Sequence, residues 1–388
     1  MTDPVSPYPL PTSGKPKPRY ELLDGLRGIA AILVIWYHFF EGFATSPVDQ
    51  MMNHGYLAVD FFFVLSGFVI GYSYDDRWRG GLTARRFMLR RIVRLQPMVV
   101  LAALLGALAW ILQGSVHWDG TPSPLSSLLI ALVLGLVLIP VIPGAEADVR
   151  GNGEMFPLNG PSWSLFFEYI GSLLYALILR RLSDRWLRLV VIASGAALAA
   201  TAFCNASGAY HLGVGWSMAD GGFFGGLARL TFSFSVGLLI SRHFRRRTIR
   251  GAFWICSALM ATLMAMPYIG GDTISAWNAL YDSTATLIIF PLIVYIGACG
   301  VTTDRLSTSL CNTLGELSYP VYIIHYPIMY LFYSWVWAHG YSFSQVWPAC
   351  CALFILIILL ARTALRYYDA PLRRYLSAKW LSRPANKN

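Results

Sequence analysis

The chain alternates long apolar runs with short basic or Gly/Pro-rich interruptions, and two of those runs, 98–113 and 125–142, carry no charge at all. About 20 apolar residues suffice for a helix to cross a hydrocarbon core of about 30 Å. On that measure the pattern predicts ten spans, at about 22–42, 55–74, 95–113, 161–180, 188–204, 222–241, 251–269, 278–299, 316–337 and 345–365. The expected fold class is all-α: a polytopic integral membrane protein of about ten transmembrane helices plus one re-entrant segment. No polar stretch between the spans is long enough to build a soluble domain.

Composition agrees, with 56% hydrophobic and only 13% charged residues among 388. The net charge of +10 would suit nucleic acid, but the distribution of the basic residues gives another reason for it. Of the 30 basic residues, all but Arg27, Arg150 and Arg229 fall in the tails or in alternate loops. By the positive-inside rule those regions are cytoplasmic, so both termini are expected inside and nucleic acid binding is excluded. If 125–142 crossed, the later arginine clusters would lie outside. The segment is therefore expected to enter from the outside and return, packed against protein. The first twenty residues are Pro-rich and polar, with no apolar core of a cleaved signal peptide. The six cysteines lack CxxC spacing and read as small membrane hydrophobes, with neither a metal site nor a disulfide framework expected.

Ionisable residues inside apolar spans mark functional positions. In the stretch 22–40, LLDGLRGIAAILVIWYHFF, Arg27 and His38 stand eleven residues apart. Eleven helical steps make about three turns, so the two share one face about 16 Å apart along the axis. Asp60, about five residues into the second span, is expected at the depth of His38, where a carboxylate would fix the imidazole tautomer and raise its basicity. Glu168, in PSWSLFFEY, is expected to line the same cavity with Ser164 as acid, base or substrate ligand. His325 lies near mid-span between Pro320 and Pro327, which free backbone carbonyls and open a polar seam. Arg229, beside a Gly-rich start, is a candidate for holding an acceptor hydroxyl or an anion. The cytoplasmic run RRFMLRRIVRLQP supplies Arg85, Arg86, Arg90, Arg91 and Arg94, planar forks suited to phosphates of a lipid head-group or a nucleotide.

Together these pieces resemble the membrane-bound acyltransferase-3 family, integral O-acyltransferases of glycans and antibiotics. Four blocks carry the likeness: LDGLRGIAAILVIWYH (23–38), HGYLAVDFFFVLSGFVI (54–70), FMLRRIVRLQP (87–97) and PSWSLFFEY (161–169). The later LGELSYPVYIIHYPI (314–328) fits the last block, and the likeness runs over about residues 20–370. Gln96 departs from the pattern, standing where the family usually has an aromatic residue.

The resemblance implies a membrane acyltransferase domain over 21–370, flanked by a disordered cytoplasmic tail at 1–20 and a basic cytoplasmic tail at 371–388. The single-domain type, without an appended hydrolase-like domain, is expected. It implies His38 as the catalytic histidine, supported by Asp60, and Glu168 is counted with them as a catalytic candidate. Arg27 with Arg85, Arg86, Arg90, Arg91 and Arg94 would hold acyl-CoA, a co-substrate, with no permanently bound cofactor. Ser66, Trp163, Ser164, Arg229 and His325 are candidate oxyanion or acceptor contacts. The expected reaction moves an acyl group, acetyl by family usage, to a hydroxyl of an extracytoplasmic glycan, at a bacterial inner membrane. The expected acceptor is an exported polysaccharide of cellulose or succinoglycan type, with membrane lipids and a polysaccharide synthesis or export complex as partners. The rival readings are an exporter of a lipid-linked sugar and a non-catalytic subunit of a polysaccharide synthase. The Arg27–His38–Asp60 set favours the enzyme, and no matched pair of broken spans favours a transporter.

Overall fold

A computed structural model describes residues 20–245, 249–302 and 304–381. Nearly all of the disordered-tail expectation for 1–20, and the part of the C-terminal expectation at 382–388, lie outside the described residues. The described chain is all-helical. Its helices are α1 (Glu21–Glu41), α2 (Ala58–Arg79), α3 (Ala84–Leu112), α4 (Leu125–Leu136), α5 (Ser162–Leu177), α6 (Asp184–Phe203) and α7 (Gly222–His243). Then follow α8 (Ala252–Ala265), α9 (Ala276–Thr284), α10 (Phe290–Cys299), α11 (Arg305–His339), α12 (Phe343–Ala364) and α13 (Ala370–Leu381). Single π-turns join α9 to α10 and α12 to α13 into continuous rods.

Among the described residues eight helices are long and apolar enough to cross a membrane. Two of the ten predicted spans differ. The segment 251–269 contains the 14-residue α8, about 21 Å long and short of a full crossing. The segment 316–337 lies inside the 35-residue α11, whose tyrosines, serines and histidine leave it less apolar than the other eight. The reason is position: α11 is packed between other helices and buries most of one face, so it needs no lipid-compatible surface. By contrast α12 is largely open to lipid, with Ile355, Leu356, Leu359 and Leu360 exposed.

Two helix pairs form the centre, α1 against α11 and α2 against α7. Small residues let their backbones meet, as in other membrane bundles. A Cβ on Gly67 would stand 2.0 Å from the Phe234 carbonyl oxygen, and one on Gly237 2.0 Å from that of Val64. On α1, a Cβ at Gly28 would stand 2.5 Å from Leu314 of α11. These contacts fix the rotation of each helix and hence which side chains face inward.

The segment 125–142 forms only the 12-residue α4, about 18 Å long and too short to cross. Residues before it (His117, Trp118) and after it (Pro143 to Asp148) line one and the same cavity, so the chain enters and leaves on one side. Trp110 and Ala107 of α3 pack with Leu128 and Ala131 of α4 in a separate apolar cluster. Gln96, the departure noted above, closes this corner by donating to the Leu136 carbonyl at 2.6 Å while accepting from Tyr169 at 3.1 Å. The loop that follows is wound on Asp148, whose carboxylate accepts from the backbone of Gly144, Gly151 and Gly153 at 3.1–3.2 Å.

Candidate active site

Three hollows run along the inner face of α1. Where α1 ends, a cavity of about 1050 Å³ opens, lined by His38, Glu41, Trp163 and Arg229 among others. Where α1 begins, a cavity of about 730 Å³ is lined by Asp24, Arg27, Arg77, Arg94 and Arg373. Between them lies a cleft of about 100 Å³. Arg27, Val69, Arg94 and Tyr319 line both the cleft and the basic cavity, while Tyr322 lines both the cleft and the wide cavity.

His38 occupies the last turn of α1 and is 14% exposed to the wide cavity. Its Nδ1 lies 2.6 Å from Glu41 Oε2. The Tyr333 hydroxyl donates to the same carboxylate oxygen at 3.0 Å and to the His38 carbonyl at 2.7 Å. A carboxylate on Nδ1 puts that proton there and leaves Nε2 as the basic nitrogen. The ring is boxed by Tyr326, edge-on at 4.8 Å, and by His325, face-on at 5.3 Å and 29°. His325 is fully buried, and neither of its ring nitrogens has a hydrogen-bond partner among the described residues.

Asp60 does not support His38. Both its oxygens go to Arg229, at 3.1 Å from Nε and 2.7 Å from Nη2, and the pair is completely buried. Arg229 also donates to the Val214 and Tyr56 carbonyls at 3.0 and 2.9 Å, and lies 5.2 Å from the Trp163 ring. Four of its five N–H groups are thus committed within the protein, which leaves one on Nη1 for any oxyanion. The depth assigned to Asp60 is compatible with the sequence, but the α2–α7 packing turns its carboxylate towards α7 rather than α1.

Glu168 is likewise not with His38. It pairs with Arg91 and accepts from Ser66 at 3.1 Å in the cleft, while Arg91 also donates to Ser172 at 3.1 Å. Ser164 shares a 2.8 Å hydrogen bond with Tyr322 at the same level. Arg27 is held by Asp24 at 3.0 Å, Ser318 at 2.7 Å and the Gly315 carbonyl at 2.8 Å. The five-arginine group therefore divides. Arg91 is buried at the cleft and Arg94, although exposed, lines both the cleft and the basic cavity, whereas Arg85, Arg86 and Arg90 line neither. In a helix, residues at such spacings circle the axis, and only one side can face the bundle.

Sequence reasoning missed Glu41, Glu154 and Arg150. Glu41 follows His38 by three residues, the spacing of neighbours on one helix face, and that was the available signal. Glu154 lies in the loop after α4, buried against the hydroxyls of Tyr330 and Tyr326. Burial pushes its carboxyl above the ordinary carboxylate range. Arg150 is buried beside it, with its guanidinium 3.4 Å from the centre of the Tyr330 ring and its Nε donating to the Pro157 carbonyl at 2.6 Å. Nothing in the local sequence distinguishes this arginine from an ordinary loop residue. On the cavity rim, Trp337 lies 5.0 Å from Trp118 and stacks on Tyr333 at 5.4 Å and 16°.

A helical membrane bundle with a histidine–carboxylate pair at one end and an arginine-lined cavity at the other has the layout of a group-transfer enzyme. Residues 20–363 match the family profile described as an acyltransferase domain, and the chain belongs to the acyltransferase-3 family. It is thus a multi-pass membrane acyltransferase, one that transfers groups other than aminoacyl groups. Its relatives include "Protein 2 in picA locus" of Rhizobium radiobacter, 36% identical over 174 residues, or 42% of this chain and 84% of that protein. The "Putative membrane-bound transacylase BcsY" of Komagataeibacter xylinus is 27% identical over 366 residues, 91% of this chain and 84% of that one. A "Putative O-acetyltransferase" of Staphylococcus aureus is 36% identical over 94 residues, covering 23% of this chain and 14% of its own length. No solved structure matches the chain.

Proposed function

We propose that the protein O-acylates a carbohydrate at the wide cavity, using acyl-CoA that enters from the basic cavity. On the positive-inside rule the basic cavity is cytoplasmic, the membrane is the bacterial inner membrane, and both termini lie in the cytoplasm. The observation that carries this reading is the His38–Glu41 pair at the end of a succession of hollows that begins among arginines. The arginines suit the phosphates of CoA, and the narrow cleft suits its thin arm.

At the far end, His38 Nε2 takes the proton from an acceptor hydroxyl as its oxygen bonds to the acyl carbon. The carbon–sulfur bond then breaks with its electron pair going to the CoA sulfur, which takes up the proton from the imidazolium. Glu41 holds the ring and stabilises the imidazolium between those two events. The acetyl group is the donor group that family usage favours. The acceptor is a glycan, and the Trp118 and Trp337 rings on the cavity rim offer aromatic surface to sugar rings. A polysaccharide under export, of cellulose or succinoglycan type, delivered by a synthesis or export complex, fits a cavity open on this side.

Purified protein in vesicles tests the reading, with labelled acetyl-CoA on the basic side and a soluble glucan oligosaccharide opposite. Alkali-labile label on the oligosaccharide is the expected result. Label that never leaves acetyl-CoA in the presence of any glycan tried would sink the proposal.

A further inference from the structure

The family match stops at residue 363, yet the chain continues unbroken as helix to Leu381. The sequence pattern marks 371–388 as a basic tail, but α13 instead packs along α3. Leu365, Asp369, Ala370 and Arg373 form one wall of the basic cavity. A π-turn lies at 365–369 in this wall, and such turns recur at functional positions.

The wall places Arg373 opposite Arg27, Arg77 and Arg94, four guanidiniums from four separate helices around one hollow. Three carboxylates, Asp24, Glu316 and Asp369, line the same hollow. Among the described residues that line the hollow, one positive charge is left over before any ligand arrives. Among the described residues Arg373 is engaged by its neighbour Asp369 alone, Nη2 to Oδ2 at 2.8 Å. That bond uses half of each group. Arg373 Nε and Asp369 Oδ1 are buried with no hydrogen-bond partner among the described residues. The Arg373 side chain as a whole is 35% exposed and lines the hollow, so the guanidinium edge that Asp369 does not use is open to an anion there. Arg374, next in sequence, is exposed and bonds only its own helix, at the Ala370 carbonyl.

We infer that Arg373 binds a phosphate of the acyl-CoA donor, from a helix outside the family's matched domain, with Asp369 holding the guanidinium until the donor arrives. This rests on the donor reading above. In it, the C-terminal helix becomes part of the enzyme's binding site, and the phosphate exchanges with the Asp369 carboxylate without any bond being broken covalently.

Equilibrium binding of radiolabelled CoA to the full-length protein in detergent decides the matter. Arg373→Ala should raise the Kd about tenfold, the lower end for a charge-assisted hydrogen bond because Asp369 competes for it. Since that change leaves Asp369 without a counter-charge, Arg373→Ala/Asp369→Asn is measured beside it and should show the same weakening. Asp369→Asn alone should tighten binding, and Arg374→Ala should leave it within twofold. If the double variant binds CoA as the wild type does, Arg373 is no ligand and the inference falls while the donor reading stands. If the wild type binds no CoA, the donor reading fails and takes this inference with it.

Discussion

At the wide cavity the buried carboxylates are paired with partners from other elements, whereas at the basic cavity the ion pairs of Arg27 and Arg373 are with neighbours on their own helices. Asp60 is gripped in bidentate fashion by Arg229 from α7, and Glu154 by two tyrosines from α11. Arg27 and Arg373 instead pair with Asp24 and Asp369, three and four residues away. A cross-helix pair fully out of water is costly to break, while a short-range, part-exposed pair exchanges cheaply. On the proposed function, one end is a fixed chamber and the other a receptor for a donor that must come and go. His38 is the exception within the chamber, since its partner Glu41 lies on the same helix and is 37% exposed.

That contrast can be broken at several points. The largest effect is expected at His38. His38→Ala should lower transfer by at least ~10²–10⁴-fold while membrane level and thermal unfolding stay near wild type, because a base acts on the barrier. Glu41→Gln should cost less than His38→Ala and should spare KM for the donor. An equal loss in Asp60→Asn, with unchanged stability, would restore Asp60 as the histidine's partner and refute the geometry found here.

Next comes the buried pair. Arg229→Met strands the Asp60 charge and should cost about 3–5 kcal/mol of stability, read as a drop in the detergent melting temperature. Arg229→Met/Asp60→Leu should recover most of it. If the double variant is no better than the single one, the pair is doing something other than locking α2 to α7.

A smaller effect separates the arginines of the 85–94 run. Arg94→Ala should raise KM for acetyl-CoA about tenfold with kcat little changed, the loss of one charge-assisted contact. Arg90→Ala should change it less than twofold, since Arg90 faces neither hollow. Equal effects would mean that the cluster attracts the donor by its overall charge alone.

The smallest effect concerns His211, in the loop before α7. Burial, and then the Arg229 charge, lower its pKa from the usual 6.5 to about 4, and its Nδ1 accepts from the Gly213 amide at 2.8 Å. A histidine kept neutral in the folded state contributes stability above its unfolded pKa of about 6.5 and loses it as pH falls towards 4. Melting temperature should decline across that window in the wild type and decline less in His211→Gln. A matching decline in both would assign the acid sensitivity to another group.

The apolar runs were enough to place most of the helices, because a stretch of about 20 apolar residues has one stable way to sit in a bilayer. They did not give the ends. α3 starts at Ala84 rather than 95, capped by Thr83, and α11 at Arg305 rather than 316, capped by Asp304. Apolarity marks where lipid is, whereas helix continues as long as backbone bonds and caps allow.

Depth along a helix is also a property of the sequence, and His38, Arg27, Arg91, Arg94 and Ser66 line the hollows along α1. Which way a side chain at that depth turns is not. A rise of 1.5 Å per residue fixes height from the chain alone, but rotation about the axis is set by the helices packed on either side. The α2–α7 glycine contact turned Asp60 to Arg229, and the packing of α3 on α5 turned Arg91 to Glu168. The carboxylate beside His38 is consequently Glu41, its own neighbour in sequence, whose proximity owes nothing to those distant contacts. Arg373 is the opposite case, because only the tertiary arrangement brings the end of the chain back to the cavity where α1 begins.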